Sequence, residues 1–216
     1  MNWDWSAVAD FMPRFWDGLL VTLQVLVLGS LISFTLGLVW AFGFRARSRI
    51  VRWPVHAVTE FVRTTPLLVQ LFFLFFVLPE WGVQFSALTT GTLAIGLHYS
   101  TYTAQVYRAG IDAVPAGQWE AATALSLPRH RTWVTVILPQ AVRRIAPALG
   151  NYVIAMLKDT PLLAGISVLE LLQQSRLESA ATFQYTEPLT VVGVAFVLIA
   201  YPASLLVRTL ERRLAH

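Results

Sequence analysis

Five unbroken, mostly apolar stretches decide what this chain can become. A bilayer hydrocarbon core of ~30 Å takes about 20 such residues at a rise of ~1.5 Å each. Stretches at about 18–42, 54–78, 86–107, 145–172 and 187–208 reach that length. With 56% hydrophobic and 13% charged residues in 216, and a mean hydropathy of +0.60, the chain is more apolar than a soluble domain. A soluble chain of this length would show its apolar residues as amphipathic faces instead. The expected class is an all-α integral membrane protein with five transmembrane helices. The fourth stretch carries Lys158-Asp159-Thr160-Pro161, where proline can split it into two half-helices.

Residues 1–17 form an acidic, Trp-rich segment with Asp4, Asp10 and Asp17 against Arg14. They lack the basic start of a signal peptide, and the apolar run that follows exceeds the ~7–15 residues of a cleaved one. The segment is expected to lie at the outer interface, ahead of a retained span. Basic residues give the orientation. Arg45, Arg47, Arg49 and Arg52 fall in the 43–53 loop, Arg108, Arg129, Arg131, Arg143 and Arg144 in the 108–144 connection, and Arg208, Arg212 and Arg213 near the end. The opposite side holds only Arg14 and Arg176. By the positive-inside rule the N-terminus is outside, and the 209–216 tail is cytoplasmic. The net charge of +4 then reports cytoplasmic loops, with no call for a nucleic-acid partner.

Several chemistries find no residues here. Cysteine is absent, and His56, His98, His130 and His216 have no partner at helical spacing, so no metal site is expected. No nucleophile elbow or paired catalytic carboxylate is present, so no catalytic residue or cofactor is assigned. A phosphate-binding loop needs a glycine-rich run ending in lysine, but the one lysine, Lys158, is followed by Asp159. ATP hydrolysis would have to come from a partner. A self-sufficient ion-coupled carrier is the alternative, with Glu60, Asp159 and Glu170 as possible relays.

The 108–144 connection has a helical pattern of its own. Pro115 and Gly117 precede Q-W-E-A-A-T-A-L-S-L, and Pro128 stops it. A helix over 117–127 is expected, with Glu120 favouring its first turn. Ala121, Ala122 and Ala124 would permit close approach of another protein; an ordinary interfacial helix is the other reading. A second helical stretch is expected from Arg129 to Leu138, ending at Pro139.

E-A-A at 120–122 followed by I-L-P at 137–139 resembles the cytoplasmic signature loop of ABC importer permeases. V-R-T-T-P-L-L-V-Q-L-F-F at 62–73, Y-R-A-G-I at 107–111, G-Q-W-E-A-A, I-L-P-Q-A and L-K-D-T-P-L-L at 157–163 resemble the polar amino acid permeases in particular. The Trp-rich start and L-P-E-W-G-V-Q-F-S-A-L-T-T-G look most like ectoine and hydroxyectoine uptake permeases. The resemblance implies a subunit of the bacterial inner membrane whose 108–144 loop couples spans three and four to a pair of ATPase subunits. It also implies an extracytoplasmic solute-binding protein and a second permease subunit, a heterodimer being slightly favoured over a homodimer. Gly117, Glu120, Ala121, Ala122, Ser126 and Pro139 would form the docking element. Relatives usually carry glycine where this chain has Ser126, and many carry glutamate where it has Gln105. The turn at 126 must therefore manage without glycine's freedom at positive φ.

Charges inside the spans mark a candidate translocation pathway. Glu60, Arg63, Thr64 and Gln70 share one helical stripe, and Arg63 needs a partner or a wet cavity, Glu60 being nearest. Lys158, Asp159 and Thr160 sit beside Pro161, where freed carbonyls can gather. Both groups allow a structural reading as charge pairs and a functional one as solute contacts. R-T-T-P-L-L at 63–68 and K-D-T-P-L-L at 158–163 echo each other, as a parallel repeat would or as chance allows. His98, Tyr102 and Gln105 share a face, with Ser100, Thr101 and Thr103 close by, suited to bonds between helices; pore lining is the other reading.

Overall fold

The computed structural model describes residues 3–214. Met1, Asn2, Ala215 and His216, which end the expected outer segment and cytoplasmic tail, lie outside the described residues. Every regular element among the described residues is helical.

Helix α1 (Trp5–Phe44) starts where Asp4 accepts the Ser6 amide at 2.8 Å. It runs unbroken for 40 residues, so the outer segment and first span expected as separate pieces are one helix. Asp4 N–H donates to Glu187 at 3.1 Å and Arg14 pairs with Glu178 at 2.6 Å, holding this end of α1 against later helices.

The second expected span, 54–78, is not one helix. Helix α2 (Arg49–Thr64) begins at the Ser48 cap and stops before Pro66, which forces Thr65 into the extended region. Helix α3 (Leu67–Phe72) leaves at 103° to it and continues through a π segment, Phe73–Val77, to a 3-10 turn, Leu78–Trp81. The stripe drawn through Glu60 and Gln70 therefore crosses a corner.

Helix α4 (Ala87–Asp112) is the central element and packs most extensively on α1. Small residues bring the two backbones together: Gly29, Ser33 and Gly37 of α1 meet Ile95, Gly96, Ser100 and Thr103 of α4, while Gly18 and Thr22 on the same buried stripe meet Leu171. Thr103 of α4 donates to the Ser33 carbonyl at 2.9 Å across the seam. A Cβ added at Gly96 would stand 2.6 Å from Ile32 Cγ2. The third expected span, 86–107, corresponds to α4, and its polar residues Thr90, Thr92, His98, Ser100, Thr101 and Thr103 are all buried.

After the short helix α5 (Ala116–Ala124) comes α6 (Arg129–Arg131), a π segment (Thr132–Ile137) and α7 (Leu138–Asp159). The helix expected to end at Pro139 instead passes through it. Proline pushes on the carbonyl four residues back and offers no donor, and the widened turn just before it lets the helix continue.

The fourth expected span, 145–172, divides at the predicted place. Helix α7 ends at Asp159, and a 3-10 turn, Thr160–Ile166, starts with Pro161. Ser167 then takes φ 61, and α8 (Leu171–Thr182) follows at 46°. The fully buried Glu170 caps α8, accepting from Leu172 and Gln173 at 2.9 and 2.7 Å. Helix α9 (Thr186–Leu214) packs on α7 and α8. Helices α1 and α9 are each long and apolar enough to cross a membrane, and the two bent pairs raise that to four.

Candidate functional site

The corner in the second span and the end of α7 face each other. Leu67 and Leu71 of α3 join Leu163 of the 3-10 turn in one core, with Ile95 and Tyr99 of α4 between them. The two T-P-L-L segments are thus neighbours in space.

At the corner, Arg63 donates to Glu60 at 2.7 Å with both side chains at least a third exposed, so the pair adds little to stability by itself. Gln70 sits beyond the bend. Its amide donates back to the Val62 and Thr65 carbonyls at 2.6 and 2.9 Å, closing α2's open end. Its oxygen stands 3.2 Å from His98 Nδ1. Thr64 donates to the Glu60 carbonyl at 2.8 Å and serves the backbone.

At the end of α7, adjacent charges point apart. Asp159 accepts the Tyr99 hydroxyl at 2.7 Å. Lys158 is exposed, and among the described residues no carboxylate lies within ion-pair distance of it. Thr160 is fully buried and donates to the Leu157 carbonyl at 2.8 Å.

Tyrosines bridge the two groups. Tyr102 donates to the Arg63 carbonyl at 3.2 Å, and its ring lies 6.0 Å from Tyr99 and 5.7 Å from Tyr152. Tyr152 is in turn 6.1 Å from Tyr99. An aromatic floor therefore joins Arg63 to Asp159, with the Arg63–Glu60 pair partly exposed at one end and Lys158, next to Asp159 in sequence, exposed. Tyr99 and Tyr152 were not singled out from sequence. The signal was present: Tyr99 and Tyr102 are three apart, and Tyr152 and Asp159 seven apart, each pair on one helical face. His98 and Tyr102 bond between helices as expected; for Gln105 the structure records no such bond.

The second candidate element is α5. It starts at Ala116, after Pro115, so Glu120 lies in the second turn and cannot act on the first as expected. Nor does the helix reach residue 127. Ser126 N–H bonds the Thr123 carbonyl and Leu127 N–H the Ala122 carbonyl, at 2.9 and 3.0 Å. Ser126 itself takes φ 52. This is a Schellman ending with serine at the left-handed position that glycine usually fills. Trp119 packs edge-on against Trp133 at 5.2 Å, and Gln140 donates to Gln118 at 3.1 Å. With that side fixed, Gly117, Glu120, Ala121 and Ala124 form an exposed stripe on the other, while Ala122 is buried. Pro139 is exposed nearby in sequence to Gln140.

Two helices long and apolar enough to cross a membrane, two bent pairs with charges beside their breaks and a short helix on the connecting loop fit the class of membrane transport components. Residues 33–216 match the family of binding-protein-dependent transport system inner membrane components, and the chain belongs to that family. A protein of Sinorhizobium fredii described as a probable amino-acid ABC transporter permease is 44% identical over 97% of this chain and 91% of its own length. The arginine transport system permease ArtQ of Bacillus subtilis is 31% identical over 99% of this chain and 98% of its own. A crystal structure of an amino acid ABC transporter superposes with a TM-score of 0.91 at 33% identity, covering 99% of this chain and 100% of that one. The MetNI methionine transporter, at 18% identity and TM-score 0.77 over 95% of this chain and 98% of that one, shares the fold.

Proposed function

We propose that this chain is the permease subunit of a binding-protein-dependent ABC importer for a polar amino acid or a similar zwitterion, with ectoine-like compatible solutes among the candidates. The observation that carries the reading is the aromatic floor that joins Arg63 to Asp159, with Lys158 exposed next to Asp159. A zwitterion leaving water needs a cation for its carboxylate and an anion or carbonyl for its ammonium, because unmatched charge is costly away from water. Arg63 and Lys158 supply the first, and Asp159 and Glu60 the second. Relatives described as transporting arginine, glutamine and L-cystine all carry such solutes.

In this reading the basic loops face the cytoplasm and the N-terminus faces out. The stripe of Gly117, Glu120, Ala121 and Ala124 docks on one of two ATPase subunits, Ala122 and the Ser126 turn support it, and Pro139 lies at the loop's far end. Trp119 against Trp133 carries its movement into α7, whose opposite end holds Lys158 and Asp159. A second permease subunit, preferentially a different chain, covers the floor, and a solute-binding protein delivers from outside. The ion-coupled alternative has less support, since the charges at the breaks occur in a chain of the binding-protein-dependent family.

The test is reconstitution in vesicles. The chain should be inactive alone and take up labelled solute only with its ATPase and binding protein present. A panel of arginine, glutamine, cystine and ectoine would assign the solute. Uptake by the chain alone, driven by an ion gradient, would overturn the assignment.

A further inference from the structure

Where α1 ends, it meets the end of α4 and the start of α7 around a groove of about 690 Å³. Trp133 in its wall packs on Trp119 of α5, and neither Arg63 nor Lys158 lines the groove. Its walls include Leu38 and Phe42 of α1, Ile111 of α4, Trp133, and Val142 of α7. Leu38, Phe42 and Val142 are all exposed, so the groove presents hydrocarbon that a membrane-embedded surface must cover.

The mouth has the opposite character. Arg45, the one charged residue lining the groove, donates to Asp112 at 2.6 Å and stands 5.8 Å from the Trp133 ring. Asp112 also receives Arg108 at 3.6 Å. Arg144 is held by the neighbouring Ala113 carbonyl. Two exposed guanidiniums thus share the Asp112 carboxylate, a third is held at the next residue's carbonyl, and the chain runs on from Arg45 into Arg47, Arg49 and Arg52 with no acid between.

We infer that this groove binds an anionic phospholipid, with an acyl chain against Leu38, Phe42 and Val142 and the phosphate at Arg45, Arg108 and Arg144. Charge complementarity selects this occupant. Another protein covering the groove would have to desolvate an excess of cations and supply matching acids. A lipid phosphate meets them at headgroup level, where basic clusters beside helix ends attract acidic lipids. Trp133, apolar on its face and close to Arg45, suits the boundary between chain and headgroup.

Brominated acyl chains quench tryptophan on contact, which gives a direct test in the assembled transporter. The complex would be placed in nanodiscs with bromo-chain phosphatidylglycerol or bromo-chain phosphatidylcholine. Subtracting the signal of Trp133→Phe isolates Trp133. At equal mole fraction, phosphatidylglycerol should be preferred at Trp133 by about five-fold for each basic group that engages it. Arg45→Gln with Arg144→Gln should abolish the preference. If the double variant fails to assemble, Arg144→Gln alone, which gives up only a carbonyl contact, should reduce it. Val142→Phe should lower quenching by both lipids by filling the groove. Equal quenching by the two lipids in wild type would mean bulk solvation and overturn the site. No quenching by either would mean that a protein surface covers the groove, and would overturn it too.

Discussion

The Tyr99 hydroxyl stands 2.7 Å from the Asp159 carboxylate, tying the middle of α4 to the last residue of α7. This contact fixes which way Asp159 points, at the place where the helix gives way to the 3-10 turn that starts with Thr160. Hydrogen bonds to charged groups contribute about 1.5–3 kcal/mol when properly formed. Tyr99→Phe removes the donor and keeps the ring stacking. It should lower thermal stability by an amount in that range and cut uptake, while Tyr152→Phe, whose hydroxyl has no recorded bond, should do less. Uptake assays with melting curves on both variants separate the cases; equal uptake would show that the orientation of Asp159 is not needed.

Lys158 carries an exposed charge at the candidate pathway, and among the described residues no carboxylate lies within ion-pair distance of it. Lys158→Met keeps the length and lipid compatibility of the side chain and deletes its charge. Uptake should fall at least about tenfold, corresponding to ~1.4 kcal/mol lost from one charged contact. Membrane insertion and subunit assembly should stay near wild type. Arg63→Met and Glu60→Gln belong in the same experiment, because those two pair with each other at 2.7 Å. Loss of assembly in all three would identify a structural charge network instead of a solute path.

The places where sequence and structure agree and differ have physical causes. Apolar runs locate α1 and α9 because these helices leave large apolar side chains exposed along much of their length, and hydropathy measures that exposure. Helix α4 is located by the 86–107 run despite its polar residues: Thr92, Ser100 and Thr101 donate to carbonyls of their own helix, and Thr103 reaches the Ser33 carbonyl of α1, a partner that a linear reading cannot see. Pro66 and Pro161 mark real breaks, whereas Pro139 does not, since the π segment at Thr132–Ile137 absorbs its ring. The same residue type thus has opposite outcomes depending on the turn before it. At the candidate site, the charges were legible one by one, and the Glu60–Arg63 pair followed from spacing. The tyrosines that join the two charge groups were not, because that junction exists only after α2, α4 and α7 come together.

The seam between α1 and α4 has no room to spare. Gly96→Ala would set a methyl 2.6 Å from Ile32 Cγ2 and 2.7 Å from Ile32 Cβ. A β-branched side chain yields poorly. Overpacking of this kind costs about 1–3 kcal/mol. The variant should insert but unfold at lower temperature, and Ile32→Ala should restore part of the loss. A melting temperature equal to wild type would show that the seam is looser than these distances imply.

Fusions test the orientation. A reporter after Arg49 should be cytoplasmic and one after Gln84 extracytoplasmic, because basic residues crowd the loops on one side of the helices. The reverse pattern would invert the whole assignment, including the side from which α5 is reached.

Serine at position 126 takes φ 52 to end α5, a conformation that costs an L-residue with a side chain roughly 1–2 kcal/mol and costs glycine almost nothing. Its amide and that of Leu127 bond the last carbonyls of the helix regardless, so the ending is held by the backbone against the preference of the residue. Ser126→Gly should relieve that strain. Glycine also gains freedom in the unfolded segment, which offsets part of the gain, so a net local stabilisation of about 1 kcal/mol is expected. Hydrogen exchange of the amides at 125–127 should slow by about five-fold, since protection follows the free energy of local opening. The consequence for transport depends on what the strain does. If α5 must loosen to follow an ATPase, a firmer ending should lower solute-stimulated ATP hydrolysis; if α5 need only hold its shape, hydrolysis should stay equal or rise slightly while docking tightens. If the serine hydroxyl itself meets the partner, Ser126→Gly should weaken docking despite the slower exchange, and Ser126→Ala should weaken it without slowing exchange. Faster exchange in Ser126→Gly would refute the strain argument outright.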